Sequence, residues 1–109
     1  MALQYLGIAF HELATNSAKY GALGEAGGQI RISWEIGTGA DGERQFSLWW
    51  RETFAPGSAR PPVPPRQGFG STVLRRITPS ALHGHGHLEL SPGGLSWAVN
   101  APLDALKAH

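Results

Sequence analysis

The chain contains no cysteine and no apolar run long enough to cross a membrane. Without cysteine there can be no disulfide, no thiolate metal site and no thiol catalysis, and the composition fits a reducing compartment. A membrane helix needs roughly 18 apolar residues in a row. The first residues, MALQYLGIAFHE, also lack the cationic start and the cleavage site of a secretion signal. We therefore expect a soluble, cytoplasmic protein with no direct membrane insertion.

Charge is scarce as well, since charged residues make up 16% of the chain and the formal net charge is +1. A balance this close to neutral argues against a general nucleic-acid partner. The exception lies between residues 51 and 76, where five arginines and one glutamate give a local charge of +4. The arginines are Arg51, Arg60, Arg66, Arg75 and Arg76. This segment is either a solvated surface or a surface that contacts phosphate.

The length and the apolar content predict one globular domain over residues 1–109. A chain of this size buries roughly two thirds of its unfolded surface, which is enough for a core. Hydrophobic residues make up 41% of the chain, and the 15 glycines and 8 prolines predict many loops.

Hydrophobic periodicity predicts a helix at the start of the chain. Over residues 2–20, apolar residues recur at spacings of three and four, which is typical of one helix face. They are Leu3, Leu6, Phe10 and Leu13. Gly21 is the expected end of this helix.

A hairpin is predicted next. Over residues 29–36 apolar residues alternate with polar ones, which predicts a half-buried strand. They are Ile30, Ile32, Trp34 and Ile36. The dipeptide Asp41-Gly42 is a typical hairpin turn. In the second strand, residues 44–52, the alternation places Glu52 on the core side beside Trp50.

The second half of the chain predicts a long loop, a helix and another hairpin. Residues 53–70 hold five prolines and no period, so we expect a lid there. A helix over residues 69–79 precedes strands over 87–90 and 95–101, joined by the turn SPGG. This order predicts an α/β (α+β) fold, a two-layer sandwich with helices on one face of a mainly antiparallel mixed sheet.

Polar residues of the first helix form a second stripe beside the apolar one. Glu12 and Asn16 are one turn apart and Lys19 follows three residues later, so their side chains share a ridge. A carboxylate, an amide oxygen and an ammonium group suit a polarised water, a hard cation and a phosphate. The alternative is an ordinary solvated helix face.

Glu52 and a pair of glycines add two further features. A carboxylate on the core side of a strand needs a partner, and either an adenine amino group or an arginine would serve. Gly68 and Gly70 come just before a helix, where backbone N–H groups can face an anion, although the same pattern also makes plain turns. Together with the helix stripe, these features describe a nucleotide site.

The segment HGHGH, residues 83–87, invites a metal hypothesis. Alternate histidines on an extended segment point the same way, and three imidazoles suit zinc or nickel. The intervening glycines favour a flexible loop with adventitious binding instead.

Three segments resemble motifs of the HWE group of sensor histidine kinases. HELATNSAKYGAL, residues 11–23, resembles the N box; WRE, residues 50–52, resembles the tryptophan-x-glutamate motif; and GFGSTVLRR resembles the second glycine box. The ending GLSWAVNAPL is also similar, so the resemblance covers about residues 2–103. It implies the Bergerat fold of the GHKL ATPase superfamily, shared with gyrase, in which Mg-ATP binds under a mobile lid.

The resemblance also implies roles for residues of the N box. Asn16 would be the magnesium ligand, and Glu12 beside it a base or a water-positioning group. His11 opens the motif and belongs to its catalytic group, but it is not the phosphoacceptor. Lys19 and Tyr20 would lie near the phosphates and the nucleotide.

Later motifs would complete the ATP site. Glu52 would stand where relatives use aspartate to read the adenine amino group. Gly68, Gly70 and Ser71 would line the phosphate end. Ser96 occupies the place of a threonine that lies near that aspartate in relatives.

The implied function is that of the ATP-binding catalytic domain of a two-component kinase. It would transfer the γ-phosphate to a histidine on a separate helical dimerisation domain and so serve a response regulator. The chain begins almost at the N box, so the preceding strand and the helical domain are expected to lie outside it, and the chain alone should not autophosphorylate. Phe54 stands where this group has small residues, and it favours the alternative of a nucleotide-binding or pseudokinase module without phosphotransfer.

Overall fold

The computed structural model of the chain describes residues 3–20, 22, 26–55 and 72–107. In chain order the elements are α1 (Leu3–Tyr20), β1 (Gln29–Thr38), β2 (Arg44–Thr53), a π-helical segment (Val73–Ile77), α2 (Thr78–Ala81), β3 (His85–Ser91), β4 (Gly94–Pro102) and α3 (Leu103–Lys107). This order confirms the predicted helices and hairpins and adds α3, which was not predicted. In the described part of the chain, no helix has both the length and the apolar character needed to cross a membrane.

The strands form one sheet in the order β1-β2-β4-β3. Every pair of neighbours among the described strands is antiparallel, so the parallel component expected of a mixed sheet is not found in this part of the chain. The helices pack on one face, where the rings of Phe10 and Trp50 lie 6.1 Å apart. The predicted two-layer α+β architecture is therefore confirmed.

The core lies between the helices and this face of the sheet. Its members are Leu6, Ala9, Leu13, Leu48, Trp50, Val73, Leu74, Leu82, Leu88, Trp97, Val99 and Ala101. The helical period in α1 and the alternation in β2 both place their apolar residues here, as the sequence predicts. Glu52, predicted to lie on the core side, is 6% exposed.

The burial predicted for β1 is wrong. Its apolar residues do lie on the helix side of the sheet, because Ile32 pairs with Trp50 and Trp34 pairs with Leu48. Yet Ile32, Trp34 and Ile36 are 45, 66 and 49% exposed. β1 is an edge strand, and the described helices leave most of its apolar face uncovered.

The π-helical segment leaves one of its carbonyls without a backbone donor. In its i to i+5 pattern the N–H of Thr78 donates to the carbonyl of Val73. The next carbonyl, that of Leu74, would need an N–H from residue 79, which is a proline and has none. The indole Nε1–H of Trp97 donates to the Leu74 carbonyl instead, at 2.8 Å. Strand β4 therefore completes the hydrogen bonding of this segment.

The segment HGHGH combines a helix cap with a close contact between layers. The N–H of His83 donates to the Ser80 carbonyl and the N–H of Gly84 donates to the Pro79 carbonyl, the paired bonds of a Schellman motif. His83 takes the left-handed position with a φ of 57°. A Cβ at Gly86 would overlap the Pro79 ring, so a side chain there would push the helix layer off β3. The strand predicted from residue 87 begins two residues earlier, so the flexible loop predicted for this segment is wrong for His85 and Gly86, which belong to β3.

Candidate functional site

The polar stripe of α1 forms one wall of the candidate site. Glu12 and Asn16 are half-buried one turn apart, and Lys19 and His11 are exposed. Leu13 and Ser17 on the neighbouring ridge are buried against the sheet, at 1% exposure each. Glu12 and Asn16 therefore lie at the border between the core and solvent, and their carboxylate and amide oxygens are of the kind that a hard cation takes as ligands.

Glu52 is the buried carboxylate of the site, and three hydrogen bonds hold it. Its Oε1 accepts bonds from Ser17 Oγ at 2.8 Å and from the backbone N–H of Ala22 at 3.1 Å. Its Oε2 accepts a bond from Trp50 Nε1 at 3.0 Å. These donors offset the cost of burying a charge. No arginine is among these partners, so the arginine alternative from the sequence is not supported in the described part of the chain.

These bonds join β2 to the C-terminal half of α1. Ser17 directly follows Asn16, and Ala22 lies just beyond the end of the helix. The carboxylate predicted from strand alternation therefore lies at the same end of α1 as the polar stripe. Each carboxylate oxygen can accept two hydrogen bonds, and Trp50 is the one donor to Oε2 among the described residues, which leaves this oxygen capacity for one more.

Ser96 is not brought to this cluster. In the β2–β4 register Leu95 pairs with Glu52, whereas Ser96 pairs with Arg51. Neighbouring residues of a strand point to opposite faces, so Ser96 lies on the face of the sheet away from Glu52 and α1. A shallow depression on that second face is lined in part by Glu35, Ser47 and Asn100, and it contains none of the predicted site residues.

Several predicted site residues lie outside the described part of the chain. They are Gly68, Gly70 and Ser71 at the phosphate end, together with residues 56–70 of the predicted lid. Tyr20 ends α1, but its side chain is not described. The start of the predicted lid is described as far as Ala55, and there the N–H of Phe54 donates to the Gly93 carbonyl at 2.9 Å. The backbone at Phe54, whose side chain is half-buried, therefore lies alongside the turn between β3 and β4.

The histidine segment does not form a metal centre in the described structure. His85 and His87 are exposed on β3, and His87 Nε2 lies 3.3 Å from Glu89 Oε2. His83 caps α2. Among the described residues, no group of three or more histidine, cysteine, aspartate or glutamate side chains is placed to hold a metal ion.

Ser17 escaped the sequence analysis, and Trp50 was predicted to lie beside Glu52 but not to donate a hydrogen bond to it. Ser17 lies four residues after Leu13, so both are on the apolar face of α1. That position could have predicted that the Ser17 hydroxyl is buried. Trp50 precedes Glu52 by two residues on the same strand face, which puts the indole within reach of the carboxylate.

The amino-acid sequence of the chain is similar to segments of known histidine kinases. The chain is 36% identical over 100 residues to a blue-light-activated histidine kinase of Brucella anthropi, a match over 92% of the chain. It is 38% identical over 98 residues to the proteins of the same name in Brucella ovis and Brucella canis. The chain is related to a segment of histidine kinases.

That segment is a small part of the kinases concerned. The match spans 20% of the Brucella anthropi protein and 19% of the Brucella ovis protein, so the chain covers about a fifth of the length of these curated relatives. No protein-family model matches the chain.

Proposed function

We propose that this chain is the ATP-binding catalytic domain of a two-component sensor histidine kinase of the HWE group, with a Bergerat-type fold. It would transfer the γ-phosphate of ATP to a histidine on a separate helical dimerisation domain, from which a response regulator takes the phosphate. The relatives supply the general class, since each is named a histidine kinase.

The observation that carries the proposal is the placement of Glu52. A carboxylate buried at 6% exposure is held against the end of α1, beside a helix face with Glu12 and Asn16 one turn apart. The free acceptor capacity of Oε2 suits the amino group of adenine. The amide oxygen of Asn16 and the carboxylate of Glu12 are the hard oxygen donors that Mg²⁺ prefers.

In this proposal some residues of the site bind Mg-ATP and others orient the attacking group. Glu52 accepts the adenine amino group, Asn16 holds the magnesium ion, and Lys19 with Tyr20 lies toward the phosphates. Gly68, Gly70 and Ser71 offer backbone N–H groups and a hydroxyl to the phosphate end. Glu12, with His11 beside it, orients the attacking group. Bound Mg-ATP supplies the phosphoryl group and charge neutralisation, so the protein contributes mainly alignment and electrostatics.

Calorimetric titration with a non-hydrolysable ATP analogue, with and without magnesium, tests the proposal. Asn16→Ala should remove the magnesium-dependent part of the affinity and leave the rest, because magnesium is typically held by one or two protein oxygens and the phosphates. Asn100→Ala, an exposed asparagine on the second face of the sheet, is the matched control and should bind as the original chain does. Equal magnesium dependence in all three proteins would remove Asn16 as the ligand, and no binding at all would refute the proposal.

A nucleotide-binding or pseudokinase module without transfer is the second candidate. Phe54 favours it, because a half-buried aromatic residue stands directly after β2, where the HWE group has small residues. A chain that binds the ATP analogue yet leaves a supplied phosphoacceptor domain unphosphorylated would decide for this candidate.

A further inference from the structure

We propose that Ser17 is a positioning residue, which fixes the Glu52 carboxylate and so sets the preference of the site for adenosine nucleotides over 6-oxo purine nucleotides. This role rests on the proposed function, in which Glu52 accepts the adenine amino group. Ser17 acts through Glu52 and needs no contact with the nucleotide.

The hydroxyl of Ser17 is a buried donor to Glu52. Its Oγ lies 2.8 Å from Glu52 Oε1, and the serine is 1% exposed. An ionised carboxylate only accepts hydrogen bonds, so the hydroxyl is the donor. Bonds to a charged acceptor are about twice as strong as bonds between neutral groups. The orientation of the carboxylate therefore depends in large part on this hydroxyl.

The two oxygens of Glu52 are held differently. Oε1 accepts from Ser17 and from the backbone N–H of Ala22, which fills its two acceptor positions. Oε2 accepts from Trp50 Nε1 at 3.0 Å. A carboxylate held at both oxygens cannot rotate freely about its last bond, so the remaining acceptor position of Oε2 keeps one direction.

The second donor to Oε1 is a backbone group with its own support. A Cβ at Gly28 would overlap the Ala22 carbonyl, so the chain just before β1 lies directly against Ala22. This contact holds the Ala22 backbone independently of Ser17. Removal of the serine hydroxyl therefore leaves the second donor in place, and one substitution isolates what the hydroxyl contributes.

A fixed acceptor distinguishes purines by the group at position 6 of the ring. Adenine has an amino group there, which can donate to Oε2. Hypoxanthine has a carbonyl oxygen, whose lone pairs the carboxylate repels. A site built to bind a donor discriminates strongly against an analogue that lacks it. A carboxylate that can turn loses part of the attraction and part of the repulsion, so the discrimination should fall without the Ser17 hydroxyl.

Titration with a non-hydrolysable ATP analogue and with the corresponding inosine analogue tests the proposal. Ser17→Ala removes the hydroxyl and introduces the best helix former, so α1 should be retained. The ratio of the two affinities should fall about tenfold, mainly through weaker binding of the ATP analogue. Ser17→Cys, whose thiol is a weak donor, should give an intermediate ratio.

Thr78→Val is the matched control. Thr78 is fully buried, and its hydroxyl donates to the Tyr5 carbonyl of α1 at 3.1 Å. The variant therefore also deletes a buried hydroxyl that joins α1 to another element, but at the opposite end of the helix from Glu52. It should lower the stability of the fold and keep the original ratio. A fall in its ratio equal to that of Ser17→Ala would overturn the proposal, because loosening of α1 would then be the cause.

The original chain separates this role from the proposed function. If it binds neither analogue, the proposed function and the role of Ser17 are both refuted. If it binds the ATP analogue and Ser17→Ala keeps the original ratio, the ATP site stands and the role of Ser17 is refuted. An equal loss of affinity for both analogues also refutes this role, since it would show that the serine only supports the fold.

Discussion

The sequence predicts that the Glu52 side chain faces the core, but it does not identify the groups that donate hydrogen bonds to it. Alternation along β2 predicts its inward direction, because strand faces have a period of two. Its donors come from residues 30 and 35 positions earlier and from the indole two positions before it. Contacts over such separations depend on how α1 lies across the sheet, which no local pattern contains.

Glu52→Ala should lower the free energy of unfolding by at least about 2 kcal/mol. The change leaves three buried donors without their acceptor, and each such loss costs about 1–3 kcal/mol unless water enters. Glu89→Ala on exposed β3 is the control and should stay within about 0.5 kcal/mol of the original. Chemical denaturation of both variants measures the difference. Equal stabilities would show that the hydrogen bonds to Glu52 contribute little.

His83→Gly should stabilise the protein by about 0.5–1 kcal/mol. The left-handed conformation costs a non-glycine residue about 1–2 kcal/mol, and the greater freedom of glycine in the unfolded chain returns part of that gain. His85→Gly is the matched control, because it puts glycine into β3, where it should destabilise by about the same amount. Opposite signs in thermal unfolding are therefore expected, and two changes of the same sign would contradict the assignment of the cap.

At the scale of elements, the positions of the helices and strands were predicted more reliably than the layers and hydrogen-bond partners that surround them. Spacings of three and four identified α1, and alternation identified β1 and β2. The exposure of β1 was missed because alternation shows which face is apolar and not whether another layer covers it. The π-helical register was missed because it depends on Pro79 together with Trp97, a residue from another layer.

Trp97→Phe tests the link between β4 and the π-helical segment. Phenylalanine keeps most of the ring but leaves the buried Leu74 carbonyl without its donor. That loss and the smaller volume should together cost about 2–4 kcal/mol of unfolding free energy. Trp49→Phe is the control on the second face of the sheet, where Arg51 lies 5.8 Å from the ring centroid and still has an aromatic partner. A control that loses as much stability as Trp97→Phe would argue against the specific bond.

At the scale of the whole molecule, the sheet separates the candidate site from two of the five histidines. His85 and His87 pair with Asn100 and Ala98, which places them on the face away from Glu52. His11 lies on α1 within the motif, and His109 is outside the described residues. The sequence predicted this separation only in part, since it assigned His85 to a loop and began the strand at residue 87.

Phosphotransfer should therefore require a second polypeptide. Phosphoryl transfer needs the attacking and leaving groups in line, so an imidazole on the wrong side of the sheet gains nothing from bound ATP. The 109-residue chain incubated with labelled Mg-ATP should give no acid-labile phosphohistidine. Addition of a cognate helical phosphoacceptor domain should give it, and stoichiometric labelling of the chain alone would reveal an internal acceptor.

The bond between Trp50 and Glu52 also places a spectroscopic probe inside the candidate site. The resonance of an indole N–H proton shifts when its acceptor gains or loses another hydrogen bond. The chain has four tryptophans, so a nitrogen-edited proton spectrum contains few such signals. A ligand that engages the Glu52 carboxylate moves the signal of Trp50, while Trp97, bonded to a backbone carbonyl, serves as an internal reference. Occupancy of this one carboxylate can thus be followed with nitrogen-15 in the protein and no chemical modification of either molecule.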